Sequence, residues 1–348
     1  PAFLIIKQTN ASGENWGIVD STRNPTNPIN EALFADSSAA SSTSSLHNID
    51  FTSTGFTIQN SHTTWNGSGS TYIYMAFAGG MDSISDYNTD GTIDSRVKAS
   101  TTYGQSIVTW TGNATAGASV GTGLSSAAEL IIIKNRETGG TNWRVHDNIS
   151  GKTNGRMDLN GNGAENTANH QITFQSDKWT FNSDSGQHED WNKNNTDMLA
   201  YCFHSVTGYS KIGSYTGNGS ATGPTITTGF KPAFVMLKVA DRTDGGNGGW
   251  FMYDNTRSPY TAQNHVLIAN STSVELVDNS NVAIDFLSNG FQLKASYDEV
   301  NVNNGKYIYM AFADTREYAY WLDQSGNNND WTSNNLTESD ISVDSPTN

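Results

Sequence analysis

Residues 86–94, with the sequence DYNTDGTID, carry the side chains best suited to binding a metal ion. Four of them have the spacing of the first part of a calcium loop: Asp86, Asn88, Asp90 and Asp94. Gly91 could supply the sharp turn, but Val97 stands at the twelfth position, where such a loop needs a bidentate Glu. A hairpin connection that uses Asp and Gly for positive φ explains the same letters. The sequence therefore predicts no metal ligand, although it leaves calcium open for this loop.

The other reactive side chains give weaker signals for catalysis. Cys202 is the single cysteine, and its place inside an apolar run indicates a buried structural thiol. The stretch GQHEDW, residues 186–191, lacks the second His of a zinc-protease helix and is interpreted as a solvated loop. No nucleophile elbow is present, and the 34 acidic residues offer no carboxylate pair that stands out for glycoside hydrolysis. We predict no catalytic residue and no cofactor, and we expect that the protein is not an enzyme.

Aromatic residues in polar loops are the candidate ligand-binding residues. Four of them lie in or beside stretches rich in Asn, Asp and Gly: Trp65, Trp179, Trp191 and Tyr260. In carbohydrate sites such rings stack on sugar faces while amides and carboxylates bind the hydroxyls. The competing interpretation is that each ring folds back over the edge of a sheet.

These residues belong to a sequence that repeats three times. Each copy opens with a similar apolar string, PAFLIIK at 1–7, AELIIIK at 128–134 and PAFVMLK at 232–238. A tryptophan then stands four residues before an aspartate in every copy: Trp16 and Asp20, Trp143 and Asp147, Trp250 and Asp254. The closing heptapeptide YIYMAFA is identical at 72–78 and 307–313, with MLAYCFH at 198–204 as its counterpart. The shared order predicts three tandem domains, which we call copy one (1–99), copy two (100–206) and copy three (207–314).

The strings SIVTWTGN (106–113) and SKIGSYTGN (210–218) precede the opening strands of copies two and three. Copy one has no counterpart, so we expect that the sequence begins partway through a domain that lacks its first strand. Residues 315–348 are predicted to be an extended tail or linker to a missing domain.

Composition and side-chain parity predict an all-β fold. The chain has 33 Gly and only 15% charged residues, which favours short strands and turns over helices. Each copy offers seven or eight short strands in roughly 100 residues, the size of an antiparallel β-sandwich of the jelly-roll or concanavalin-like kind. A closed barrel is the alternative. The opening and closing strands are apolar on both faces and should be covered twice, whereas the strand that follows each repeated tryptophan should be half exposed. The repeated aspartates are interpreted as Asx-turn caps.

The net charge of −15 disfavours a nucleic-acid partner. No apolar run approaches the roughly 20 residues that a membrane-spanning helix needs, so membrane insertion is not expected.

The string YSKIGSYTGNGSATGPTITTGFKPAFVMLK (209–238), together with GWFMYDNTRSP, IDFLSNGFQL and YIYMAFA, resembles a repeated module of unknown function from marine bacteriophages. That module occurs in tail-fibre and other virion structural proteins, and the resemblance covers residues 1–314. It implies a tail-fibre or spike protein on the virion surface, with a role in host attachment. The implied partners are further copies of the chain in a homotrimer or other homo-oligomer, other virion proteins and a host surface glycan. A carbohydrate-binding module is the alternative function, and a polysaccharide-degrading enzyme is the less favoured one.

Overall fold

The computed structural model describes residues 1–79, 86–151, 155–166, 172–182, 188–242, 246, 248–258 and 262–314. The fold is all-β, as predicted, with 43% of residues in strands and 6% in helices. Neighbouring strands pair antiparallel, and none of the described sheets closes into a barrel. No helix among the described residues is both long and apolar enough to cross a membrane. Tyr260 and the predicted tail at 315–348 lie outside the described residues.

The strands follow the repeats. Copy one contains β1 (Phe3–Gln8), β2 (Gly17–Asp20), β3 (Glu31–Phe34), β4 (Ser42–Thr43), β5 (Ile49–Phe51), β6 (Phe56–Ile58), helix α1 (Thr63–Asn66) and β7 (Tyr72–Phe77). Then come β8 (Asp86–Asn88), β9 (Ser95–Ser100), β10 (Gln105–Thr111), β11 (Ser119–Gly121), β12 (Leu130–Asn135), β13 (Arg144–Asp147), β14 (Met157–Asp158), β15 (Ile172–Phe174), β16 (Lys178–Phe181) and β17 (Asp197–Phe203). Copy three contains β18 (Ser210–Thr216), β19 (Thr225–Thr227), β20 (Pro232–Asp241), β21 (Phe251–Asp254), β22 (Leu267–Ile268), β23 (Ile284–Leu287), β24 (Gly290–Leu293), helix α2 (Asp298–Asn301) and β25 (Lys306–Ala313).

Each copy forms one large and one small sheet. The large sheets have the orders β4-β3-β2-β1-β7, β14-β13-β12-β17-β10-β9-β8 and β22-β21-β20-β25-β18. The small sheets are β5-β6, β15-β16-β11 and β23-β24-β19. Corresponding residues of the opening and closing strands face each other in every copy: Phe3 and Phe77, Leu130 and Phe203, Phe234 and Phe312. Strands β8 and β9 begin before residue 100, yet they extend the sheet of copy two through β10.

Apolar clusters fill the space between the large and small sheets, which gives a sandwich-like arrangement. In copy three, for example, Val235 and Leu237 of β20 pack with Phe291 and Leu293 of β24, and all four are fully buried. Separate clusters occupy the same place in copies one and two.

A further cluster lies where the three large sheets face one another. It takes Ile5, Ile132 and Met236 from the opening strands, and Tyr201 and Met310 from two closing strands. Strand β7 is only half-buried to exposed along its length, so the prediction that each closing strand is covered twice is wrong for this strand. The second face of the other two-sided strands is covered by the other copies of the same chain. For the same reason β2, β13 and β21 are buried at every residue. The prediction that these strands are half exposed is wrong, because their variable face points into the sandwich and their constant face into the shared centre.

The repeated tryptophans join the copies. Each indole N–H donates to a backbone carbonyl of another copy: Trp16 to Ile268 (3.1 Å), Trp143 to Phe34 (2.9 Å) and Trp250 to Asp158 (2.9 Å). The three acceptors occupy corresponding positions, because each one pairs with the residue directly after the repeated tryptophan of its own copy: Phe34 with Gly17, Asp158 with Arg144 and Ile268 with Phe251. The bonds run from copy one to three, from two to one and from three to two, so they form a closed ring.

Candidate functional site

Most of the aromatic residues predicted to contact sugar are enclosed. Three of them have no exposed surface: Trp65, Trp179 and Trp191. The Trp65 indole donates to His47 Nδ1 at 3.1 Å, Trp179 packs edge-on against Trp110, and Trp191 stacks on His146. With no exposed surface, these three rings present no face on which a glycan could stack. Tyr260 lies outside the described residues.

The repeated aspartates are turn caps, as predicted. One carboxylate oxygen of each accepts from the backbone N–H groups two and three residues ahead: Asp20 from Thr22 and Arg23, Asp147 from Ile149 and Ser150, Asp254 from Thr256 and Arg257. In copies one and three an arginine completes the turn. Arg23 Nε lies 2.5 Å from Asp20 Oδ2 with both side chains fully buried, and Arg257 Nε lies 2.6 Å from Asp254 Oδ2. These carboxylates therefore hold the turns together.

Three lysines that end the opening apolar strings are also fully buried: Lys7, Lys134 and Lys238. Lys238 Nζ donates to the carbonyl oxygens of Gly163 at 2.7 Å and Gly248 at 2.8 Å. Lys134 Nζ reaches the carbonyl of Ser38 in copy one at 3.1 Å. Burial lowers the pKa of Lys238 to about 7 and that of Lys134 to about 8, because an enclosed ammonium loses its hydration. Both amines are occupied by carbonyls that tie one copy to another.

The remaining reactive residues have structural positions. The Cys202 thiol is buried, as predicted, and burial raises its pKa to about 12. Asp86 and Asn88 lie in β8 of the β8–β9 hairpin, and Asn88 Nδ2 donates to Asp90 Oδ2 at 2.8 Å. Among the described residues, no group of three or more His, Cys, Asp or Glu side chains could hold a metal ion.

A polar pocket lies between the turn after β2 and strands β8–β10. Its volume is about 350 Å³, and its lining includes Arg23, Arg96 and Asp197. The Tyr87 ring at its mouth is 67% exposed, and the Arg96 guanidinium lies 5.8 Å from the ring centroid. An exposed ring beside charged hydrogen-bonding groups is the combination that a sugar site requires. Sequence reasoning missed this pocket because its residues come from two copies.

An apolar groove of about 400 Å³ runs along β7. Ile73, Tyr74 and Met75 form one wall, and the turn at 254–257 of copy three forms the other. Tyr74 is 58% exposed, whereas Tyr309, its counterpart in the identical heptapeptide, is 5% exposed.

A family model described as a domain of unknown function (DUF7483) matches residues 1–80 and 82–316. The chain belongs to this family. No curated protein and no solved structure matches the chain. The two DUF7483 matches meet between β7 and β8, which is where the sheet of copy one ends and that of copy two begins. The first DUF7483 match thus contains β7, which forms one wall of the apolar groove. The second match contains the large sheets of copies two and three.

Proposed function

We propose that the chain is a structural protein of a bacteriophage virion, of the tail-fibre or spike type, with a role in host attachment. We further propose that its three copies are tandem β-sandwich modules with a concanavalin-like or jelly-roll ancestry. The phage assignment rests on the resemblance of residues 209–238 and the accompanying motifs to virion modules.

The closed ring of indole bonds is the observation that carries a structural role. Several residues that recur in every copy connect the copies: Trp16, Trp143 and Trp250 through their carbonyl acceptors, and two of the three buried lysines, Lys134 and Lys238. A repeated catalytic residue would instead sit in a cleft with its reactive atoms free. The repetition therefore favours a rigid scaffold, which suits a particle that survives outside the cell.

The chain covers its two-sided strands by itself except for β7, so a homotrimer or other assembly would use the surfaces that remain exposed. Exposed apolar side chains on those surfaces, such as Val277 at 56% and Leu46 at 51%, are available for contacts with further copies or with other virion proteins. We place the protein on the virion surface, where a host glycan would be reached through the loops.

Immunogold electron microscopy tests this function. Antibodies raised against the purified chain should label particles from a phage culture that carries the gene, at the tail or at spikes, while particles of an unrelated phage stay unlabelled. Gold confined to cell debris, with the chain absent from purified particles by mass spectrometry, would refute the virion assignment.

Carbohydrate binding is the second candidate, and the polar pocket beside Tyr87 is the observation that favours it. A glycan array probed with the labelled chain should then give signals that Tyr87→Ala removes and that Tyr103→Ala, at a 42% exposed tyrosine away from the pocket, leaves intact. Release of oligosaccharides from any bound polysaccharide would instead point to the enzyme alternative.

A further inference from the structure

The outer edge of β7 has no partner among the described strands. β17 lies between β12 and β10, and β25 lies between β20 and β18. β7, the counterpart of both, pairs with β1 alone. An edge strand of this kind presents unpaired N–H and C=O groups to any extended segment that fits beside it.

The small sheet of copy one is incomplete in the same way. β16 and β24 each carry an extra strand, β11 and β19, whereas β6 pairs only with β5 in the described structure. In sequence, β10 and β11 precede β12, and β18 and β19 precede β20. One continuous segment therefore fills both edges in copies two and three.

The groove beside β7 lies at the position that this segment occupies in copies two and three. β10 and β18 each place an isoleucine in the shared centre, Ile107 opposite Tyr201 and Ile212 opposite Met310. The corresponding residue of β7 is Met75, which lines the groove. A segment paired with β7 in the same register would put an isoleucine into the groove and bury apolar surface there.

Tyr74 indicates which segment fits beside β7: one like that of copy two, or one like that of copy three. Tyr74 packs edge-on against Phe56 with ring centroids 4.9 Å apart, as Tyr309 packs against Phe291 at 5.2 Å. In copy three the Tyr309 ring also lies over Gly213, where an added Cβ would be 2.6 Å from the phenolic oxygen. In copy two a valine, Val108, stands opposite the small Ala200. Because β7 carries the tyrosine, it needs the glycine of the copy-three segment.

Asn66 independently indicates that a segment of this kind fits beside copy one. Its counterpart Asn301 is fully buried, accepts from the backbone N–H of Asn218 at 2.9 Å and donates to the carbonyl of Ser220 at 2.8 Å. Asn192 of copy two is buried too and binds Asn113. The asparagines that they contact, Asn113 and Asn218, both belong to the TGN turn directly after the extra strand. Asn66, by contrast, is exposed.

We propose that the open edge of copy one binds the opening segment of a further copy of this repeat, of the type of residues 210–231. The segment would lie antiparallel to β7 and continue along β6, as residues 210–231 lie along β25 and β24. Backbone hydrogen bonds to β7 would supply affinity, and the glycine opposite Tyr74 would supply specificity.

A labelled synthetic peptide of residues 210–231 tests this with the full chain. Fluorescence anisotropy should show saturable binding, with slower amide hydrogen exchange in residues 72–77. Gly213→Val in the peptide should weaken binding at least about tenfold, and Tyr74→Ala in the protein should restore the binding of that peptide. Asn66→Ala should weaken the unmodified peptide, whereas Asn10→Ala, at a site outside the groove, should not.

A fusion keeps the proposal testable if the free peptide binds weakly. Residues 210–231 placed directly ahead of Pro1 should raise the thermal midpoint by at least about 3 °C over the same fusion with Gly213→Val. Equal midpoints for the two fusions, together with no binding of the free peptide, would overturn the proposal. A chain that instead dimerises through residues 72–77 and excludes the peptide would also overturn it, because the occupant would then be a second copy of β7.

Discussion

Replacing Trp250 by Phe tests whether the three copies form one cooperative unit. The change removes the indole N–H that donates to the Asp158 carbonyl at 2.9 Å, at a side chain that is 1% exposed. A buried acceptor left unpaired costs about 1–3 kcal/mol, and the missing ring atoms leave a cavity that costs about 1 kcal/mol more. We therefore expect the free energy of unfolding to fall by about 2–4 kcal/mol.

Urea denaturation followed by far-UV circular dichroism and by tryptophan fluorescence measures this loss. Because the bonds occupy corresponding positions, Trp16→Phe and Trp143→Phe should each cost a similar amount and keep a single transition with an unchanged slope. Trp65→Phe is the matched control, since its indole donates within copy one to His47. It should lower stability without changing the coupling between copies.

Two separated transitions in the unmodified chain would refute the reasoning, because a shared centre requires the copies to unfold together. The same conclusion would follow if Trp250→Phe let copy three melt first while Trp16→Phe had no effect. Equal losses at the three tryptophans would be hard to obtain from independent domains joined by linkers.

Three further changes have expected outcomes that urea denaturation can measure. Burial lowers the pKa of Lys238 to about 7, while in the unfolded chain it returns to about 10.4. The unfolded state then binds more protons between these values, so the contribution of Lys238 to stability should be constant below about pH 7 and rise by up to about 2 kcal/mol towards pH 9. The rise of stability over this range should be smaller in Lys238→Met. Asn301→Ala should cost about 2–4 kcal/mol, because it leaves the buried carbonyl of Ala295 and the N–H of Asn218 without their partner, whereas the exposed counterpart Asn66→Ala should stay within about 0.5 kcal/mol. Asp20→Ala should cost about 3–5 kcal/mol because it leaves the buried Arg23 without its carboxylate, and a loss under 1 kcal/mol would contradict that pairing.

Local sequence signals predicted what depends on local geometry. The alternation of side chains identified the strands and their two apolar faces. The polar residues after Asp20 and Asp147 indicated the turn caps, because an Asx turn depends only on the residues next to it in the sequence. The burial of Cys202 followed from its place in an apolar strand.

Features that depend on contacts between distant residues could not be predicted from the sequence. The stretches around Trp65 and Trp191 read as loops because their neighbours are polar, yet the rings close the interiors of copies one and two. The sequence predicts that β13 is half exposed because the residues of one face vary between copies, yet this face, with Arg144 and His146, points into the sandwich and is buried. A single sequence does not reveal which copy will cover a given face, so the candidate site shifted from the buried indoles to the pocket beside Tyr87 and the groove along β7.

The divergence of the middle heptapeptide follows from packing. Copy three places Tyr309 between Phe291 and Gly213, and Tyr74 contacts Phe56 in the same way. At corresponding positions copy two has Ala200, Trp179 and Val108, all buried in its own interior cluster. A smaller residue on the closing strand is thus offset by larger residues on the two strands around it, and such volume-conserving exchanges cost a core little.

Packing also bears on the identical heptapeptides of copies one and three. Both place a tyrosine, Tyr74 or Tyr309, edge-on against a phenylalanine of the small sheet. In copy three the space left over is closed by Gly213. Copy one has kept the tyrosine and the phenylalanine, and the described chain supplies no third member there. The exposed ring of Tyr74 is therefore best understood as one side of a contact whose other side is a glycine-bearing strand.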